Sequence, residues 1–165
     1  MEPLTLSEAD VSGIEQISRL AEVIWNQHYT SIISVDQIRY MLHKMYSRDS
    51  LEDQMLKKHH RFFIIHHQQE AIGFVSVNEE SRDTWFLNKF YILQDLAGKG
   101  FGSKVFDELC GLLKPKQITL TVNRQNYKSI NFYFKKGFTI QKVADFDIGN
   151  GYVMNDFVMT WLAKK

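Results

Sequence analysis

The chain is poor in the residues that staple or interrupt a fold. It has 1 cysteine, Cys110, in 165 residues. One thiol closes no internal disulfide, so the core must hold the fold, and a reducing compartment suits it. With 2 prolines and 9 glycines, nothing reads as a linker, a repeat or a low-complexity segment. Neither sign of charge dominates: 20 basic against 19 acidic residues leave a net charge of +1. That excludes a global basic field able to draw in nucleic acid or an anionic membrane. No apolar run approaches the length needed to cross a bilayer. Residues Met1–Asp10 lack the basic start and apolar stretch of a signal peptide. The expectation is a cytoplasmic protein with one domain over residues 1–165. What is plentiful is apolar and aromatic material, 44% and 13% of the chain, enough for a core without metal or disulfide support.

The hydrophobic pattern predicts a mixed α/β domain. Residues 3–7 read as a first strand. Ile14, Ile17, Leu20, Ala21 and Ile24 recur at helical spacing between Val11 and Tyr29. A second helix runs from Val35 to Tyr46, with Ser34 or Asp36 as its cap. A third covers Ser50–Lys58 and opens on the capping-box pattern Ser50-Leu-Glu-Asp53. Then the period changes to that of strands: Arg61–His66, Glu70–Asn78 with a turn at His67–Glu70, and a long strand over Thr84–Leu93. A glycine-rich turn leads into a helix ending near Leu113, with the stripe Phe101, Val105, Leu109 and Leu112. Strand Lys116–Val122, helix Asn126–Lys136 and strands Phe138–Phe146 and Val153–Leu162 complete the order β-α-α-α-β-β-β-α-β-α-β-β. The central βαβ unit makes two strands parallel.

The glycine-rich turn is Gly98-Lys-Gly100-Phe-Gly102-Ser-Lys104, between a strand and an amphipathic helix. A helix start carries unpaired N–H groups and the positive end of the dipole. Glycines remove the Cβ atoms that would hold an anion off. The spacing fails the Walker loop, and Ser103 fails the third glycine of the dinucleotide fingerprint. A glycine loop with no ligand is the plain alternative.

Ala97-Gly98-Lys99-Gly100-Phe101-Gly102 resembles the pyrophosphate motif Arg/Gln-x-x-Gly-x-Gly/Ala of GNAT acetyltransferases, with Phe90-Tyr91-Ile92 similar to the strand that precedes it. Asn126-Tyr-Lys-Ser-Ile-Asn-Phe-Tyr133-Phe-Lys-Lys-Gly137-Phe138 resembles that family's second signature. The motifs stand in order, one helix and one strand apart. Ala97 departs from the family, which has Arg or Gln there, and weaker anchoring follows. The resemblance implies the GNAT fold and direct acetyl transfer from acetyl-CoA, as co-substrate, to a primary amine. It is loosely closest to polyamine- and small-amine-acetylating members. It implies a pyrophosphate on the amides of Ala97, Gly98, Lys99, Gly100, Phe101, Gly102 and Ser103. A pantetheine arm would pair with the strand edge at Tyr91, Ile92 and Leu93.

Asn126 either bonds that arm or caps its helix; Asn suits both. Ser129 and Tyr133 follow on the same face, with Ile130 and Phe134 turned to the core. By resemblance Tyr133 protonates the leaving thiolate. A phenol near 10 against a thiol near 8.5 makes it equally a hydrogen-bond donor to developing charge. A plain core tyrosine is the alternative. Cys110 reads as a buried helix residue rather than a nucleophile.

An amine of pKa about 10.4 needs help to lose its proton, yet Thr84–Leu93 holds no carboxylate. Glu79, Glu80 and Asp83 are expected in a solvated turn, so no base is named and a relayed water is expected. Trp25, Tyr29 and Tyr40 are the candidate acceptor-side residues, amid other aromatic and His side chains that equally make a core. The segment Asp145–Tyr152 reads as a turn, or as a source of carboxylates for a cationic acceptor. His59-His60 and His66-His67 lack a completed ligand set, so no metal is expected. The partners expected are a small-molecule or peptide amine, neither nucleic acid nor membrane, with a homodimer as an option. The competing reading is a catalytically weak CoA-binding sensor; a nucleic-acid regulator fits the charge poorly.

Overall fold

The computed structural model describes residues 3–96 and 98–164. Backbone contacts gather into two compact units, Met1–Asn78 with Lys89–Leu112, and Glu79–Asn88 with Leu113–Lys165.

The first unit opens with β1 (Leu4–Ala9) and a 3₁₀ turn, Val11–Gly13. Then come α1 (Ile14–His28), α2 (Val35–Tyr46) and α3 (Arg48–Leu56). Helix α1 buries Ile14, Ile17, Ala21, Ile24 and Trp25, the stripe its spacing predicts plus one indole. Ser34 caps α2 by accepting from Gln37 N. Helix α3 starts earlier than expected, because Ser47 rather than Ser50 is the cap and accepts from Ser50 N at 3.3 Å. The short link between α2 and α3 puts the first available hydroxyl at the helix mouth.

Strands β2 (Arg61–His67) and β3 (Glu70–Ser81) form a hairpin. Its turn is Gln68-Gln69 at φ 53° and 67°, a left-handed pair that suits a two-residue hairpin without glycine. β1 pairs antiparallel with β2. The inner residues Phe62, Phe63, Ile65, Phe74 and Val75 are each at most 2% exposed, and each such side chain contributes about 1.5–3 kcal/mol. β3 extends to Ser81, so Glu79 and Glu80 sit on its exposed end rather than in a turn. Of the three acidic residues only Asp83 lies in the turn, beside Arg82 and at φ 59°.

Helix α4 (Phe101–Leu113) buries Phe101, Val105, Phe106 and Leu109. The expected Leu112 is 53% exposed. The apolar face drifts across Phe106 instead, as a 3.6-residue repeat requires. Cys110 is half-buried rather than core.

The second unit takes in the start of β4 (Thr84–Ile92), then β5 (Gln117–Asn123), α5 (Tyr127–Lys136), β6 (Thr139–Gly149) and β7 (Tyr152–Leu162). Thr84, Trp85 and Phe86 pair in parallel with Gln117, Ile118 and Thr119. β7 pairs antiparallel with β5 on one side and β6 on the other. The strands follow the order β1-β2-β3-β4-β5-β7-β6, and the mixed α/β class is as the pattern predicts. The expected loop at Asp145–Tyr152 is strand for most of its length. Asn150-Gly151, at φ 55° and 79°, closes a two-residue hairpin with Gly149 opposite Tyr152. Asn-Gly is the strongest turn pair available there, so Asp145 and Asp147 stay on β6.

Candidate active site

The first unit carries the glycine turn. β4 ends at Ile92, and a 3₁₀ turn, Gln94–Leu96, leads to Gly98. Gly98 and Gly100 have φ of 78° and 81°, and a Cβ at either would meet no atom within 4 Å. Positive φ explains why glycine stands there. The open space means that the backbone of the turn can be approached closely. Lys104 N donates to Gly100 O at 3.3 Å, so the amides before it lie at the mouth of α4, where helix geometry supplies no intrahelical acceptor. Gly98, Lys99 and Gly100 are exposed, Gly102 and Ser103 half-buried, and Phe101 tucks its ring into the unit at 8% exposure. Ala97 lies outside the described residues. The residues present fit a diphosphate: a 13-residue helix, an unfilled cradle and two lysines, Lys99 and Lys104.

Of the strand edge Tyr91–Leu93, two residues face inward along the sheet. Leu93 N donates to Ile72 O at 2.8 Å, and a Cβ on Gly73 would lie 2.1 Å from Tyr91 O. Only glycine at 73 lets the two backbones come that close. Backbone groups alternate between edges along a strand, so Ile92 turns its N–H and C=O to the other edge.

Tyr91 joins the aromatic cluster of the helices. Its hydroxyl lies 3.0 Å from that of Tyr29. Tyr29 packs 4.3 Å from Trp25, and the Trp25 indole N–H donates to the Tyr46 hydroxyl at 3.3 Å. Trp25 is 1% and Tyr29 6% exposed, so both are packed inside the unit. Tyr40 is half-buried with Lys44 Nζ 5.6 Å over its ring.

Next to this cluster lies a residue that the strand pattern did not single out. Lys89 is 6% exposed and donates to Gln54 Oε1 at 2.7 Å. Its ammonium stands 5.5 Å from the Tyr46 ring and 5.4 Å from that of Phe62. Burial, helped by the charge of Lys58, brings its pKa down to about 7. Burial, with Lys89 and Lys58 nearby, brings His60 down to about 4. The alternation Trp85, Leu87, Lys89, Tyr91 was the available signal, since it sets a lysine at an inward position.

The second unit carries the other motif. Asn126 caps α5, its Oδ1 accepting from Ser129 N at 3.4 Å. It is 4% exposed, Ser129 is half-buried, and Tyr133 is 8% exposed with its ring 5.2 Å from that of Phe138. Gly137 ends the helix at φ 101°. Ile130 is buried as expected, but Phe134 is 46% exposed. The helix rotates Tyr133 inward, and its neighbour one residue on turns about 100° away. At the end of β5, Asp156 of β7 stands opposite Asn123. It is 6% exposed. Burial, offset by a hydrogen bond from Thr121 and by Arg124, and reinforced by Asp145, raises its pKa to about 6.

No group of three or more His, Cys, Asp or Glu able to hold a metal occurs among the described residues. No helix among them is long and apolar enough to cross a membrane.

The model of the acetyltransferase (GNAT) family matches residues 20–138. The chain belongs to the GNAT family. That match takes in the glycine turn, Asn126 and Tyr133, and stops before β6 and β7. A similar protein, the 5-NmdU N-acetyltransferase of Pseudomonas phage PaMx11, is 30% identical over 78 residues. The match covers 47% of this chain, and the chain spans only about half, 56%, of that relative's length. Among solved structures, the PaiA N-acetyltransferase of Thermoplasma acidophilum in complex with coenzyme A aligns at a TM-score of 0.79. The two are 23% identical over 98% of this chain and 99% of that one. The dodecameric spermidine N-acetyltransferase of Vibrio cholerae aligns at 0.65 with 19% identity, over 96% and 93% of the two chains. These likenesses show that the GNAT fold extends along nearly the whole chain.

Proposed function

We propose that this protein moves an acetyl group from acetyl-CoA directly to a primary amine of a small molecule or peptide, acting as one domain over residues 1–165. The observation that carries the reading is the unfilled cradle at Gly98 and Gly100, where positive φ and empty Cβ positions meet the mouth of α4. The amides from Gly98 to Ser103 hold the diphosphate, with Lys99 and Lys104 adding charge. The backbone of Ile92, which alternation turns away from Ile72 and Gly73, is suited to pair with an amide-bearing arm. Asn126 and Ser129 supply polar groups at the start of α5. Acetyl-CoA, when bound, supplies a thioester carbonyl and a thiolate leaving group. Tyr133 donates its hydroxyl proton, or a hydrogen bond, to the departing sulfur. Trp25, Tyr29 and Tyr40 stand on the acceptor side. A reducing cytoplasm suits the single thiol of Cys110.

The acceptors named for similar proteins, 5-NmdU and spermidine, are the first two to try. Acetyl-CoA at a hundred times its Kd is expected to add about 2.7 kcal/mol of stability. Tyr133→Phe is expected to lower kcat while leaving acetyl-CoA affinity near the wild-type value. No shift in melting temperature at millimolar acetyl-CoA would refute the reading. Stabilisation with no thiol release across a broad amine panel would leave a cofactor-binding module instead.

A further inference from the structure

The GNAT reading leaves the proton of the acceptor ammonium without a taker, because β4 offers no carboxylate. The second unit supplies one from a strand beyond the family match. Asp156 is on β7, opposite Asn123 at the carboxyl end of β5. It is 6% exposed, and its Oδ1 is buried with no hydrogen-bond partner. Buried side-chain atoms of His60, His67 and Ser76 share that condition among the described residues. None of these carries a carboxylate. A buried, half-satisfied carboxylate is costly and calls for a reason.

The surroundings hold Asp156 back from the usual ways of satisfying it. Thr121, diagonally across on β5, donates a hydrogen bond to the carboxylate. The nearby cation, Arg124, is engaged elsewhere: its guanidinium donates to Asp145 Oδ1 at 2.9 Å. Arg124 N is tied to Asn155 O at 2.9 Å, so the backbone beside Asp156 is fixed as well. The same turn leads into α5. Gln125 N donates to Asn123 Oδ1 at 2.9 Å, and Asn126 N to Asn123 O at 2.9 Å. Asp156 thus borders the segment that sets the start of the helix bearing Tyr133. In open α/β sheets ligands collect outside the carboxyl ends of the parallel strands, and β5 is one member of the parallel pair.

We infer that Asp156 is the general base of this enzyme, its unpaired Oδ1 accepting a proton from the acceptor's ammonium. This rests on the N-acetyltransferase reading. The acceptor's N–H bond breaks, its electron pair stays on nitrogen, and an O–H bond forms at Oδ1. That nitrogen then bonds to the acetyl carbon as the carbon–sulfur bond breaks. One further proton leaves nitrogen, the sulfur gains one, and the sum is acetamide, free thiol and one proton. A carboxyl titrating near 6 is a stronger base than one near the ordinary 3.8, and it remains largely ionised at pH 7. Arg124 and Asp145 are the charged groups that face it, and they act in opposite directions.

The test is kcat/KM for acetyl-CoA-dependent thiol release against pH, from 5 to 10. The panel is spermidine, benzylamine, lysine amide and a dipeptide, and the fastest wild-type acceptor is carried forward. Asp156→Asn is expected to lower kcat/KM about 100- to 1,000-fold, with acetyl-CoA Kd within threefold of wild type. Thr121→Val removes the bond that favours the ionised form and is expected to move the acid limb of the profile to higher pH. A structural role for Asp156 would not move that limb. An Asn variant within threefold of wild type, or a Thr121→Val profile that superimposes on the parent, overturns the assignment while leaving the enzyme reading intact. If the Asn variant does not fold, the Thr121→Val profile decides alone. A wild-type protein that binds acetyl-CoA yet releases no thiol with any of the four amines takes down both readings.

Discussion

Among the described residues, each compact unit buries one charged side chain, and the two are accommodated differently. In the first, Lys89 has an amide oxygen at 2.7 Å and two aromatic rings around its ammonium. In the second, Asp156 has Thr121 on its carboxylate while Oδ1 has no partner. Lys89 is thus enclosed by groups that answer its charge, through hydrogen bonding and the negative faces of rings. Gln54 passes the connection on, donating to Met45 O at 2.8 Å and to Ser50 Oγ at 3.0 Å. That chain ties α3 to the end of α2, a structural task. Asp156 has spare acceptor capacity, the condition of a group that expects a ligand. Both charges are buried; what separates them is the unanswered hydrogen-bonding position at Oδ1, on which the general-base assignment rests.

The comparison breaks first at Lys89. A lysine titrating near 7 instead of 10.5 disfavours the folded state while it is charged. The native state gains stability as pH rises from about 7 toward 10.5 and loses it as pH falls through 7. Lys89→Met is therefore expected to stabilise the protein at pH 6 by a few kcal/mol at most, with the gain shrinking to nothing near pH 10. Chemical denaturation at the two pH values measures this, and a loss of stability at pH 6 would mean that the cage more than repays the burial.

Asp156 has the same sign of cost at a smaller size. Its folded pKa lies above the ordinary 3.8, so the stability it contributes is present below that value and lost as pH rises through about 6. Asp156→Asn is expected to gain about 1–2 kcal/mol at pH 8 and nothing at pH 3.5, while activity falls. Stability rising as activity drops would separate Asp156 from a residue kept for packing.

Asn126→Ala sharpens the contrast within the second unit. It removes the cap of α5 and should cost about 1 kcal/mol in thermal or denaturant unfolding. Asn126→Asp keeps an acceptor and should recover most of it. The smallest effect belongs to Arg61→Ala. Its guanidinium bridges Glu8 at 2.9 and 3.0 Å, and the carboxylate's pKa is held below its usual range chiefly by that hydrogen bond. Both side chains are well exposed. A change of about 0.5 kcal/mol, fading in high salt, is expected.

Much of the fold was legible in the order of residues. The period of α1, the limits of α2 and the order of all twelve strands and α-helices follow from apolar spacing and turn residues. Misplacements came where two local signals competed. Ser47 beat Ser50 for the cap of α3, and Asn150-Gly151 confined to two residues the turn expected over Asp145–Tyr152. The candidate site was half legible. The Gly98–Gly102 turn and the Asn126–Tyr133 pair announce themselves because backbone chemistry fixes their spacing. Asp156 does not, since a lone Asp in a strand looks like any outward-facing polar residue until its neighbours are known.

By itself the sequence determined the class of fold, the glycine turn at the mouth of α4 and the cap-to-tyrosine spacing of α5, because these depend on contacts between residues close along the chain. Only the tertiary structure decided that Lys89 is answered and Asp156 is not. Desolvation and hydrogen-bond satisfaction depend on residues dozens of positions away, Gln54 for the one and Thr121 and Arg124 for the other.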